Sequence, residues 1–428
     1  MLKINKILSA VAMLLIITAA VNSCDKEDVS VFPPDETHSD VIPLSDALSD
    51  MENTISYLYG ETKASRFSGY SIQTVTSKDL TANTRASSLN LPDTLLYLIN
   101  FPDSSGFSVL SASRSLSIGT YCVTESGSVN QDDIRKAISE MSDHSEYPSD
   151  LDAFVYGIDF IPSLIASSII LDVAGVCEQE TLDGEEISTK ADNITYGPFL
   201  KTKWGQTTIG GKRVFNRYTP NNASCGCVVT AVAQIMVANK YPMQNNIIFD
   251  GKPCNWQDME TVYTYENYNL PLDTTAFDQV AHFVRELGKH DNVKIRYGDS
   301  DGAESRGYAE GAQRTFQNYG YRDVDKHLGF GKNKRKIADK NLRAGRPVYL
   351  DGNGKHSGHA WVLDGLKGDF YHINWGWYGK SDGYYKKGVF RTSQRSDVDS
   401  TYDSGLISSN YHHYYKNFRM VTYGAFKD

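Results

Sequence analysis

Two stretches of this sequence assemble residue types that could make and break an acyl bond. The first is Asn221-Asn222-Ala223-Ser224-Cys225-Gly226-Cys227, a polar turn that runs directly into an almost wholly apolar stretch over 228–239. A helix that is apolar all round is a buried one. Pro242 closes it, and Cys227 then stands at its N-terminus. Backbone N–H groups and the positive end of the helix dipole favour thiolate over thiol there, and a His⁺ partner would pull the ordinary thiol pKa of roughly 8.5 down further. Those are the conditions for a nucleophile. From the helix alone, a small core cysteine fits slightly better. The second stretch is Gly354-Lys355-His356-Ser357-Gly358-His359, which leads into a strand over 360–365 and then another over 370–377. His359 begins the first of these strands beside Gly358, where a substrate backbone could come close. One histidine among ten is by itself an ordinary structural residue. What changes the balance is the set: His359 and Asn374 follow Cys227 in order, 132 and 147 residues on, so that a thiol, a base and an orienting amide occur together in the chain.

A metal site is the competing chemistry. Cys225, Cys227, His356 and His359 would supply two sulfur and two nitrogen ligands, a set that suits zinc. The C-x-C spacing is tighter than the usual C-x₂₋₄-C, and the helix begins at once, so no metal and no other cofactor is expected. Cys225 could compete as a thiol, oxidise or fill space. Only Cys227 has the motif context, and filler is the reading adopted for Cys225.

The elements that must carry these residues occupy the second half of a 428-residue chain, a length that points to two or three domains. Lys and Arg number 43 against 52 Asp and Glu, a net charge of −9 that leaves no basic excess for phosphates and argues against nucleic acid as partner. Lys3 and Lys6 precede an apolar run over 7–21, too short to span a bilayer at ~20 residues and suited to the core of a signal peptide over 1–23. It ends in Val21-Asn22-Ser23-Cys24, which is similar to a bacterial lipobox with Cys24 as the lipidated mature N-terminus. A polar tether over 24–50 follows and runs into a helix at 45–59. Next come strands at 95–101 and 107–111 joined by Pro102-Asp103-Ser104-Ser105-Gly106, and a helix over 131–141 with acidic residues in its first turn. Residues 178–193 are acidic and polar, an exposed linker of the kind proteases cut. Lys326 to Asp339 reads as a basic, solvated loop.

Several motifs together resemble the streptopain family of papain-like bacterial cysteine peptidases. They are Gly226-Cys227-Val228-Val229-Thr230-Ala231-Val232-Ala233-Gln234-Ile235-Met236 with Lys240-Tyr241-Pro242; Gly358-His359-Ala360-Trp361-Val362-Leu363-Asp364-Gly365; Tyr371-His372-Ile373-Asn374-Trp375-Gly376-Trp377 with Ser381-Asp382-Gly383; and Trp204-Gly205-Gln206 with Phe215-Asn216. Tyr297-Gly298 also matches in kind, and residues 65–128 resemble the family's inhibitory propeptide. Asp25-Lys26-Glu27-Asp28 is similar to an export signal of surface lipoproteins in Bacteroides-like bacteria.

The resemblance implies an α+β papain-like fold, with a helix bearing Cys227 packed on a twisted antiparallel sheet bearing His359. It implies a catalytic domain over 191–428 behind an inhibitory propeptide over 51–190, removed by cleavage between 186 and 193, with Lys190 and Ala191 flanking the bond. Cys227 would be the nucleophile and His359 the base. Gln206 would donate to the oxyanion. Trp375 would shield His359; Asn374, on the opposite face by strand alternation, would support the loop wall. The implied partners are protein or peptide substrates, the chain's own propeptide, and a membrane reached through the lipid anchor, which places the chain on the outer membrane or cell surface. Two other classes stay open at this point: a non-catalytic binding lipoprotein on the same scaffold, and a thiol acyltransferase or amidase using the same pair.

Overall fold

The computed structural model describes residues 40–64, 67–78, 93–142, 160–173, 194–243, 247–264, 274–353, 358–390 and 418–426. The stretch expected as a signal peptide, Cys24, Lys190, Ala191 and His356 lie outside them.

The first half contributes α1 (Leu44–Tyr59), β1 (Ser71–Thr76), β2 (Thr94–Asn100), β3 (Phe107–Ser111), β4 (Thr120–Thr124), α2 (Gln131–Ser142) and α3 (Phe160–Val173). The hairpin of β2 and β3 and helices α1 and α2 fall where the turn residues and the apolar spacing put them. Helix α1 starts at Leu44, one residue before the expected helix over 45–59. Helix α3 has no counterpart in the sequence reading. Its apolar residues surround the axis, so no amphipathic stripe announces it.

The second half contributes β5 (Thr195–Tyr196), α4 (Cys227–Asn239), α5 (Thr274–Leu287), α6 (Ala309–Asn318), β6 (Asp325–Leu328), α7 (Lys332–Arg343), β7 (Val348–Asn353), β8 (Gly358–Lys367), β9 (Phe370–Asn374), β10 (Gly383–Lys386) and β11 (Arg419–Thr422). The basic segment expected as a loop is instead the end of β6 and helix α7. Ala338, Asn341 and Leu342 recur at helical spacing and are buried. Asp339 accepts from Tyr371 Oη at 2.7 Å and Lys387 Nζ at 2.7 Å, which ties the helix to the sheet.

All the described strands of the main sheet pair antiparallel, in the order β1-β2-β3-β4-β10-β9-β8-β7-β11-β6, with β5 beside β8. The chain thus forms the expected α+β arrangement, with a helix packed on an antiparallel sheet. The two halves of the chain do not build separate sheets. The edge of β10 is covered by β4, with Gly383 opposite Thr124 and Tyr385 opposite Cys122. A Cβ at Gly383 would lie 2.5 Å from the Thr124 Cα, so the close pairing depends on glycine there.

Alternation along β8 divides the core. Ala360 and Val362 face α4, in a cluster with Val228, Val232 and Tyr349. Trp361 and Leu363 face the other way, in a cluster with Trp375 and Phe390. That second cluster is completed from the first half of the chain by Leu98, Val109, Tyr121, Ile138 and Ile165.

Candidate active site

Helix α4 is buried from Cys227 to Val237. Gly226 precedes it with φ +87°, and a Cβ there would sit 3.3 Å from both Ile295 and the Ser305 carbonyl. Glycine therefore lets the chain turn sharply into the helix under the segment around 295–305. No side chain caps this end. Cys227, 5% exposed, is at the first helical position.

His359 stands at the second residue of β8 and is 4% exposed. Its Nε2 donates to the Trp375 carbonyl at 2.6 Å. In the neutral imidazole this leaves the lone pair on Nδ1, the nitrogen that can take a proton. Its ring stacks 4.3 Å from Trp377 and lies 6.2 Å from Trp375 and 6.3 Å from Trp361. Burial in this aromatic nest pushes the His359 pKa down to about 4, although the Trp375 carbonyl favours the charged form.

Strand β9 stops at Asn374, three residues short of the expected end, because side chains take the next two N–H groups. Asp382 Oδ1 accepts from Trp375 N at 2.9 Å, and Asn374 Oδ1 accepts from Gly376 N at 3.0 Å. The chain then passes over the first turn of α4. A Cβ on Gly376 would be 3.2 Å from the Thr230 Cγ2, one helical turn beyond Cys227. The peptide that holds His359 is therefore laid against the end of the helix that carries the thiol. Asp382 is wholly buried, and its pKa is lifted to about 7 by that burial, against the pull of the Trp375 N–H.

Asn374 and Trp375 point to opposite sides. The Trp375 ring joins His359, and its indole N–H donates to Tyr385 Oη at 3.2 Å. Asn374 turns to the helix: Gln234 Nε2 donates to its Oδ1 at 2.9 Å, and its Nδ2 donates to the Thr202 carbonyl at 2.9 Å. Gln234 Oε1 accepts in turn from Thr202 Oγ1 at 2.8 Å and Trp204 N at 3.0 Å. This closed polar set binds α4, the end of β9 and the segment leading to Gln206.

Gln206 lies beside the turn before Cys227. Its carbonyl accepts from Cys225 N at 3.0 Å, and its side-chain Oε1 accepts from Ser224 Oγ at 3.1 Å. Tyr378 Oη receives the Gln206 and Thr207 N–H groups at 3.2 and 2.9 Å. A Cβ on Gly205 would fall 2.0 Å from the Tyr378 ring. Gly205→Ala should therefore overpack this contact and cost about 1–3 kcal/mol, read as a lowered midpoint in urea unfolding of the full chain.

Cys225 is fully buried, with its sulfur 3.4 Å from Thr230 Oγ1. Burial pushes its thiol up to about 12. It is a buried core thiol in this setting. The fourth ligand of the zinc alternative, His356, lies outside the described residues.

Trp377, Asp382 and Ser224 are neighbours of the site that local sequence pattern does not mark. Trp377 and Asp382 follow Asn374 closely in the chain. Ser224 stood three residues before Cys227, with nothing but its hydroxyl to mark it.

Residues 204–385 match the Peptidase C10 family. Streptopain of Streptococcus pyogenes serotype M1 is 29% identical over 195 residues, 40% of this chain and 47% of streptopain. The thiol protease/hemagglutinin PrtT of Porphyromonas gingivalis is 28% identical over 182 residues, 38% of this chain and 20% of PrtT. The chain thus spans about half the length of the streptopains it matches. Among solved structures, a mutant fragment of Prevotella intermedia prointerpain A aligns with a TM-score of 0.48 at 19% identity, over 83% of this chain and 100% of the fragment. Residues 204–385, which match that family, hold Gln206, Cys227, His359 and Trp375, and through this segment the chain is similar to the streptopains.

Proposed function

We propose that this chain is the zymogen of an exported cysteine endopeptidase. The carrying observation is the placement of Cys227 at the bare N-terminus of a buried helix, against the peptide whose carbonyl fixes His359. His359 Nδ1 takes the thiol proton, and the Cys227 sulfur attacks the scissile carbonyl carbon. The tetrahedral oxyanion accepts from the Gln206 side-chain N–H and the Cys227 backbone N–H. Its collapse breaks the C–N bond, and the imidazolium returns its proton to the leaving amine. Water, deprotonated by the same imidazole, then cleaves the thioester and releases the acid and the thiol.

Two features support the inhibited state. The face of β8 that carries Trp361 is covered in part by residues from before position 174. His359 is also deeply buried among Trp361, Trp375 and Trp377, so its charged form is disfavoured, which works against a thiolate–imidazolium pair in the precursor. On this reading residues 51–190 are the propeptide and 191–428 the enzyme, with cleavage between 186 and 193 at the Lys190–Ala191 bond or close to it. Cys24 carries a lipid that anchors the precursor to the outer membrane or cell surface. Substrates are proteins or peptides.

The test is to incubate the purified full chain with a thiol reductant. Casein hydrolysis is measured, and a thiol-directed acyloxymethyl ketone probe is located by mass spectrometry. Labelling is expected at Cys227, together with a new N-terminus near Ala191. Labelling at Cys225 instead, or casein hydrolysis with no cysteine labelled, would overturn the assignment.

A further inference from the structure

We propose that Ser224 is a positioning residue that sets the direction of the Gln206 amide, so that its nitrogen faces the oxyanion. The inference rests on the reading of Cys227 as nucleophile and Gln206 as oxyanion donor. A glutamine amide has two ends of nearly equal size and opposite polarity. Only the NH₂ end stabilises an oxyanion, and the carbonyl end would repel it. The enzyme therefore needs something that tells the two ends apart.

Ser224 supplies it through a chain of hydrogen bonds in which one direction satisfies every group. Gly226 N is 3.2 Å from Ser224 Oγ, and a backbone N–H can only donate. Ser224 Oγ therefore accepts there and has its own hydrogen left to give. The atom it meets next is the Gln206 Oε1, at 3.1 Å. An amide oxygen accepts that hydrogen, whereas an NH₂ group turned to Ser224 would leave the hydroxyl hydrogen without an acceptor among the described residues. The oxygen is thereby held against Ser224, and Nε2 is at the other end. The Cys225 N–H to Gln206 carbonyl bond at 3.0 Å keeps the two backbones in register, so the hydroxyl and the amide stay opposed. Ser224 itself is 6% exposed, which limits competition from water for the bond. The three residues before the nucleophile thus orient the donor as well as turning the chain into the helix.

The experiment uses the full chain, cleaved with trypsin in the linker over 178–193 where it has not processed itself, with the trypsin then blocked by aprotinin. Azocasein hydrolysis gives kcat and KM, and iodoacetamide gives the alkylation rate of Cys227. Alkylation at a saturated carbon develops no oxyanion, so it reports the thiol without the amide. Ser224→Ala is expected to lower kcat about 10-fold, a fraction of the roughly 10²–10³ that loss of a whole oxyanion donor costs. KM and the alkylation rate should stay within about twofold. Ser224→Thr, which keeps the hydroxyl, should recover most of kcat. In a Gln206→Ala background, Ser224→Ala should add less than about twofold, because the group it orients is gone.

Wild-type kcat in Ser224→Ala, a parallel fall in alkylation, or losses that multiply in the double variant would each overturn the proposal. If Ser224→Ala does not fold, Ser224→Thr with wild-type kcat and the double-variant comparison made with Ser224→Cys decide the same question. Hydrolysis that survives Cys227→Ala or Gln206→Ala would overturn the underlying reading and this proposal with it. Loss in both of those variants with a silent Ser224→Ala overturns this proposal alone.

Discussion

Cys227→Ala is expected to lower azocasein hydrolysis by about 10⁴-fold or more, because removing a nucleophile removes the covalent route and leaves only binding and the oxyanion donors. The residue sits where a helix end can stabilise its thiolate, in a turn that Gly226 makes possible. Cys225 is the natural control. It has the same side chain two residues away, yet it is fully buried against Thr230, and its thiol is pushed up to about 12. Cys225→Ala should retain activity within about threefold. Residual hydrolysis in Cys227→Ala above that bound, or equal losses in the two variants, would mean that the thiols have been assigned wrongly. The same pair of variants separates a peptidase from a binding protein on this scaffold, which would show no casein hydrolysis in the wild type.

The second large effect lies away from the chemistry. Asp364→Ala should destabilise the full chain by about 3–5 kcal/mol, the cost of breaking a buried ion pair, with a fall in melting temperature on the order of 10 °C. His372 Nδ1 is 2.6 Å from Asp364 Oδ1, and both side chains are wholly buried. Asp364 Oδ2 also accepts from Leu200 N at 3.3 Å. The Glu125 carboxylate, from the segment after β4, approaches His372 Nε2 to 3.6 Å, and the Tyr384 ring meets the imidazole edge-on at 5.0 Å. Burial opposes both charges of the pair. At His372 the Asp364 and Glu125 carboxylates outweigh it and raise the pKa to about 10.

A histidine raised in the folded state stabilises fully below its ordinary value of 6.5, and that stability is lost as the pH rises towards 10. His359, lowered to about 4, acts in the other direction. Its contribution is present above 6.5 and lost as the pH falls towards 4. The His372 contribution should therefore make the stability of the wild-type full chain fall as the pH rises from 6.5 towards 10, and Asp364→Ala should flatten that fall. Urea unfolding across pH 4–10 checks both; an unchanged alkaline slope in the variant would count against the paired His372.

Much of the site could be read from the chain itself. An apolar run long enough for a buried helix, begun by a Gly-Cys step, specifies where Cys227 stands. A Gly-rich turn before an apolar strand does the same for His359. The opposite orientations of Asn374 and Trp375 follow from strand alternation, and the structure puts Trp375 at the histidine and Asn374 at Gln234. Local pattern failed where a segment's environment, and not its own periodicity, decides its state. Helix α3 is apolar all round and becomes legible only against the core it completes. Helix α7 is masked by its lysines, which cover a short apolar stripe.

The sequence by itself therefore determined the order of the chemical groups, the elements that carry them, and the sign of the partners that −9 charges disfavour. These follow from short-range geometry: helix ends, strand alternation and turns need only neighbouring residues. The tertiary structure alone decided that β4 covers the edge of β10, that three tryptophans surround His359, and that Asp382 ends strand β9 by taking its N–H. It alone set Ser224 against Gln206. Each of these joins residues distant along the chain, and such contacts are selected by which surfaces and hydrogen-bonding groups remain unsatisfied once the elements have packed.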